Sequence, residues 1–298
     1  MTPGRETFGL SAALVLPVGP TGEVDLRRLA DHARWCLAEG CSSVTAFGTT
    51  GEGVSLGLPV RDRIIGALVG AAIDPRSRIL GGVAASAVED AVAQARQLMD
   101  ANVRGILVAP PFYFKGVSDE GLFAWFAAAI EKLGGQARDV ILYHIPSVTQ
   151  VGLSVDLIGR LRQAFPEVIA GVKDSSGDWP YTEKLLERHS DITILIGDER
   201  SLAAGIRRGA QGSISGLANV RPRDLVAMIE RGEDNARISQ LVDQVLKFPV
   251  TPAVKGLVAH RTGDPAWLAV RAPLIPLGTS EASRLGQIYD RIFPSDAA

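Results

Sequence analysis

A short apolar run followed by a helix-like stretch recurs eight times along the chain, and that alternation leaves few folds open. Leu10-Ser11-Ala12-Ala13-Leu14-Val15-Leu16-Pro17 is the first run, after which Asp25 can cap a helix carrying Leu26, Leu29, Ala33 and Leu37 on one face. Ser43 to Phe47 precedes a helix from about Pro59 to Gly70, and Arg78 to Val83 precedes one from Ser86 to Asn102. Gly105 to Ala109 leads into Ser118 to Leu133, and Asp139 to Tyr143 into Ser154 to Phe165. Val168 to Lys173 is the sixth run. Thr193 to Gly197, with a helix to Arg208, and Gly212 to Ser215, with a helix to Arg231, complete the series. Eight such units predict an α/β chain folded as a closed parallel (β/α)8 TIM barrel with its helices outside. Strand runs stop after Asn235, where Ile238 to Leu246, Pro252 to His260 and Ser280 to Ile292 read as helices. The expected organisation is a barrel carrying the active site over residues 1–232, with a C-terminal helical region over 233–298 packed on it.

The chain's 298 residues suffice for one such barrel, and no linker favours two domains. A net charge of −2, with acids and bases interspersed, gives no footprint for nucleic acid or for a membrane surface. Cys36 and Cys41 have no companion Cys or His at metal-ligand spacing, so they read as buried free thiols in a reducing compartment. The run Leu10 to Val18 is preceded by Arg5 and Glu6 and interrupted by Pro17, and no stretch approaches 18 uninterrupted apolar residues. A soluble cytoplasmic protein is expected.

In barrels of this kind the active site lies at the carboxyl ends of the strands. The most informative end is Val168-Ile169-Ala170-Gly171-Val172-Lys173-Asp174, where a strand buried on both faces delivers a lysine to the mouth. Burial penalises the ammonium, so Lys173 can present a neutral amine, which is a nucleophile toward ketones. The plainer alternative is a strand-end lysine paired with Asp174 or reaching to solvent.

Other ends carry Gly48-Thr49-Thr50-Gly51-Glu52-Gly53, Pro110-Pro111-Phe112-Tyr113-Phe114, Tyr143-His144-Ile145-Pro146-Ser147, Gly197-Asp198-Glu199-Arg200 and Ser215-Gly216. Gly48 and Gly51 bracket two threonines in a turn whose N–H groups can face a carboxylate, though an ordinary strand-to-helix loop has the same composition. Tyr143 can shuttle a proton once hydrogen-bonded to a threonine hydroxyl, or can simply pack its ring and wet its hydroxyl. His144 has no second ligand beside it and reads as structural. No metal or cofactor is inferred, because a protonated imine formed on a lysine is itself an electron sink.

Gly48-Thr49-Thr50-Gly51-Glu52, Tyr143-His144-Ile145-Pro146, Gly171-Val172-Lys173-Asp174 and Gly212-Ser213-Ile214-Ser215-Gly216 together resemble the dihydrodipicolinate synthase / N-acetylneuraminate lyase family of Schiff-base aldolases. The resemblance runs from about Leu10 to Pro276. It implies that Lys173 forms an imine with a 2-oxo acid, usually pyruvate. It implies that Thr49 and Thr50 bind the substrate carboxylate with Gly48, that Thr50 also joins a hydroxyl relay, and that Tyr143 passes protons. An aromatic from the fourth-strand loop is implied to enter a neighbouring subunit's relay, in a homotetramer built as a pair of dimers; Tyr113 is the candidate, with Phe114 as the alternative because the loop is longer than the synthase pattern. Ser215 and Glu199 are further implied substrate-binding residues, although Asp198-Glu199-Arg200 resembles the seventh-strand loop of the sialic-acid lyases only loosely.

One departure bears on the substrate. Dihydrodipicolinate synthases place an arginine in a Tyr-x-x-Pro-Ser-Arg-Thr run to hold the second substrate's carboxylate, and here Val148 stands in its place. The reading drawn is a lyase, an aldolase or dehydratase of a 2-oxo acid such as a 2-keto-3-deoxy sugar acid. The alternatives are 4-hydroxy-tetrahydrodipicolinate synthase, with Lys115 or Arg200 as a substitute cation, and a non-catalytic barrel that binds a 2-oxo acid.

Overall fold

The computed structural model describes residues 7–19 and 21–294; Arg5 and Glu6 lie outside them. Eight strands form one closed parallel barrel. They are β1 (Gly9–Ala13), β2 (Ser43–Ala46), β3 (Ile79–Val83), β4 (Gly105–Val108), β5 (Val140–His144), β6 (Ile169–Asp174), β7 (Thr193–Ile196) and β8 (Gly212–Ser215). The ring closes where Leu10 of β1 lies beside Ser213 of β8. Each strand is followed by at least one helix, as the alternation predicts, and the helix ends fall within two residues of those read from sequence.

Alternation of side chains along each strand divides the core in two. Leu80, Leu107, Ile141, Leu195 and Ile214 point inward and fill the barrel, with Phe8 beneath them. Their neighbours Ile79, Ile106, Leu142, Ile194 and Ile196 join a larger core between sheet and helices. Between the first two strands the buried Ser11 and Thr45 hydroxyls pair at 2.8 Å.

The first strand is shorter than its apolar run. Beyond Ala13, the Val15 N–H donates to Asn219 Oδ1 and the Ala13 carbonyl accepts from Asn219 Nδ2, so an asparagine side chain replaces the next strand partner. Leu14, Val15 and Leu16 stay buried outside the sheet.

After β8 come the helices Pro222–Arg231, Ala236–Val245, Val250–Thr262 and Thr279–Ile292. The third is buried continuously from Thr251 to Ala259. It reaches the second-strand loop through Thr251, whose Oγ1 donates to the Thr49 carbonyl at 3.3 Å. Among the described residues no helix is long and apolar enough to cross a membrane.

Candidate active site

Lys173 and Tyr143 are direct neighbours in the β5–β6 register, both on the inward face. Lys173 Nζ donates to Tyr143 Oη at 3.2 Å and lies 4.4 Å from the ring centroid, and the residue as a whole is only 6% exposed. Asp174, one residue on, points the other way. Its Oδ1 accepts the Ser176 N–H and its Oδ2 accepts the Thr182 hydroxyl at 2.5 Å. The plainer sequence alternative, a Lys173–Asp174 pair, is therefore not what forms.

Thr49 Oγ1 lies 3.5 Å from Tyr143 Oη, at the long limit of a hydrogen bond. The hydroxyl beside Tyr143 is thus that of Thr49, not of Thr50, whose Oγ1 faces Gly216. The turn holding both threonines is tightened by Glu52 N–H to the Thr49 carbonyl and Gly53 N–H to the Gly48 carbonyl, each at 3.1 Å. The N–H groups of Thr49 and Thr50 make no hydrogen bond among the described residues, which leaves two donors for an anion.

Several buried groups hold this turn. Phe47 (φ 62°) and Glu52 (φ 54°) both adopt the left-handed region. The Phe47 carbonyl is so closely wrapped that a Cβ at Gly53 would fall 1.9 Å from it and one at Gly82 2.2 Å from it. Arg61, almost fully buried, donates to the Gly82 carbonyl at 2.6 Å and lies 4.1 Å over the Phe47 ring; burial lowers its pKa to about 10. Glu52 takes Lys255 Nζ at 2.7 Å with both side chains fully buried, and its second oxygen accepts the Arg271 N–H at 2.6 Å. Burial lowers the Lys255 pKa, against the opposing effect of the Glu52 carboxylate. Sequence spacing offered no sign of this pair, because its members lie 203 residues apart.

Ser215 is fully buried and donates to Glu199 Oε1 at 2.5 Å, so it meets the site only through Glu199. Burial raises the Glu199 pKa, partly offset by that hydroxyl. His144 is structural: its Nδ1 accepts the Leu153 N–H at 2.9 Å, and its ring stacks on Tyr181 at 4.2 Å. Burial lowers its pKa, although Asp174 opposes this.

Two chambers meet at Tyr143 and Thr49. One, of about 180 Å³, is lined by Lys173, Thr50, Ser175 and Glu199. The other, of about 280 Å³, is lined by Gly48, Phe47, Leu107, Phe112 and Lys115. Tyr113 and Phe114 are 73% and 72% exposed and meet edge to face at 5.2 Å, and neither lines the Lys173 chamber. Lys115 Nζ donates to the carbonyls of Phe112 and Thr149. Arg200 is held by Asp198 and Asp243. An amine beside a phenol and a hydroxyl, next to two free N–H donors, can bind a carboxylate and perform imine and proton-transfer chemistry on a neighbouring carbonyl. Among the described residues no group of three or more metal ligands is present.

A sequence profile of the dihydrodipicolinate synthetase family matches residues 6–291. An uncharacterised DapA-like lyase of Chloroflexus aurantiacus is 33% identical over 295 residues, spanning 96% of this chain and 97% of that protein. A 4-hydroxy-tetrahydrodipicolinate synthase of Anaeromyxobacter dehalogenans is 32% identical over 300 residues, 96% of each. A crystal structure titled dihydrodipicolinate synthase from Agrobacterium tumefaciens superposes with a TM-score of 0.94 at 52% identity, covering 96% of this chain and 99% of that one.

Proposed function

The chain belongs to the dihydrodipicolinate synthetase family of lyases, and we propose that it acts as a class I aldolase on a 2-oxo acid through an imine on Lys173. The observation that carries this is the Lys173 amine, buried at the carboxyl end of the barrel and 3.2 Å from the Tyr143 hydroxyl. The substrate carboxylate is bound by the free N–H groups of Thr49 and Thr50. The amine adds to C2, the C2–N bond forms as the carbonyl oxygen leaves as water with the two amine protons, and a further proton makes the imine cationic. In the cleavage direction the C3–C4 bond then breaks, its electron pair passing into the imine to give an enamine. Tyr143, having given its phenolic proton to the leaving water or the imine, takes the proton of the C4 hydroxyl as a phenolate while C4 becomes an aldehyde. Protonation at C3 and addition of water release pyruvate and the free lysine.

Tyr113, with Phe114 beside it, is assigned to a neighbouring copy. Both rings are exposed, neither meets its own chain's relay, and a dimer of dimers would give them a partner. The intact set of Lys173, Tyr143 and Thr49 speaks against a silent binding barrel. Two buried free thiols, Cys36 and Cys41, fit a cytoplasmic setting.

Synthase activity on aspartate semialdehyde is the rival reading, since relatives carry that name. Val148 supplies no charge for a second carboxylate, Lys115 is bound by two carbonyls, and Arg200 by two carboxylates. The protein is accordingly proposed to be a poor synthase.

The test is incubation with pyruvate and borohydride followed by peptide mass spectrometry. A reduced three-carbon adduct on Lys173 is expected. Labelling elsewhere, or none with several 2-oxo acids, rejects the imine.

A further inference from the structure

We propose that the far half of the substrate, the part released as aldehyde, is an uncharged apolar alkyl or aryl group. This rests on the lyase reading and narrows it. The wall of the Lys173 chamber contributed by the C-terminal helices consists of Val242, Val245, Leu246, Val250, Thr251 and Val254, and the Thr251 hydroxyl is already spent on the Thr49 carbonyl. Leu246 and Val250 are 52% and 44% exposed, and Val148, across the fifth-strand loop and lining the same chamber, is 57% exposed. Single exposed apolar side chains are ordinary on a protein surface. Three of them around one concave chamber that also holds a buried amine form a surface that gains by being covered.

The polar groups of the chamber give little welcome to the other two classes of aldehyde. Among the described residues no other lysine or arginine lines this chamber, so a distal carboxylate would find no cation within it besides Lys173, and Lys115 of the adjoining chamber is held by two carbonyls. Such a group would also meet the Asp198 carboxylate. A polyhydroxylated tail would find the chamber's carboxylates already engaged, since both Asp198 oxygens accept from Arg200 and Glu199 Oε1 accepts from Ser215, and would be left chiefly with the Ser147 and Ser175 hydroxyls. An apolar tail displaces none of these, and lies against valine and leucine.

The experiment uses the full-length protein and first confirms the pyruvate–borohydride adduct on Lys173. Pyruvate is then condensed with isovaleraldehyde, benzaldehyde, glyceraldehyde or succinic semialdehyde. In each case the enamine C3 forms a bond to the aldehyde carbon, whose oxygen takes a proton, and water then cleaves the C2–N bond to free Lys173 and the 4-hydroxy-2-oxo acid. Because one methylene in an apolar pocket is worth roughly 10- to 200-fold, kcat/KM for the apolar pair should exceed that of the other two by about tenfold or more. Leu246→Asp should remove that margin, and Leu246→Met should keep it. No adduct in the first step removes the lyase reading and this inference with it. With the adduct present, a preference for glyceraldehyde or succinic semialdehyde, or no margin for the apolar pair, overturns this inference alone.

Discussion

Lys255 Nζ and Glu52 Oε1 lie 2.7 Å apart with neither side chain touching solvent, tying the helix Val250–Thr262 to the loop that carries Thr49 and Thr50. Removing one member leaves the other's charge buried and uncompensated, which costs about 3–5 kcal/mol. Lys255→Met should lower the urea-unfolding free energy by that amount. Glu52→Gln combined with Lys255→Met should restore much of it, since no lone charge remains. A double variant as unstable as the single one would show that the loss comes from packing and not from charge.

Tyr143→Phe should reduce kcat by about 100-fold or more, because a positioned acid–base group typically contributes 10²–10⁴. The borohydride adduct on Lys173 should survive, because the amine is untouched. Turnover at the wild-type rate would remove Tyr143 from the relay.

Val148→Arg addresses the synthase rival. Each charge-assisted hydrogen bond to a carboxylate is worth roughly 1.5–3 kcal/mol, so the wild type should show kcat/KM for aspartate semialdehyde about ten- to a hundredfold below the arginine variant. A coupled synthase assay on both proteins checks this. Robust wild-type activity with no gain in the variant would restore the synthase assignment.

His32 should make stability fall on mild acidification. Its ring lies between Trp35 and Trp267, its Nε2 donates to Asn219 Oδ1, and burial lowers its pKa to about 4 from an ordinary 6.5. The folded state therefore binds fewer protons than the unfolded chain between those values. The stabilisation is complete above pH 6.5 and declines as pH falls toward 4, by on the order of 3 kcal/mol. Urea titrations from pH 7 to 4.5 should show that slope for the wild type and a shallower one for His32→Gln. Parallel slopes would mean that other groups govern acid sensitivity.

The barrel was legible because a two-residue strand period alternating with helical stretches leaves little else to build. The same period tells why Lys173 points in and Asp174 out. What sequence could not divide was the work of two adjacent threonines, since the turn geometry that sets Thr49 beside Tyr143 depends on Phe47 and Glu52 both taking left-handed backbone angles. Asn219 and Lys255 were invisible as site supports, because each acts across about 200 residues. Val242, Val245 and Leu246 read from sequence only as part of a helix, and the closed barrel is what shows that they border the Lys173 chamber.

The wrapping of the Phe47 carbonyl bears on how such a protein can diverge. A methyl group at Gly53 or Gly82 would collide with that carbonyl, and both collisions are with backbone, which cannot step aside. Random mutagenesis should therefore recover almost no active clones altered at these two glycines. Leu246, Val250 and Val148 face water and can change size or polarity with little disturbance to the fold. Selection for a new aldehyde should move through those three positions first, leaving the threonine turn as the fixed part of the catalyst.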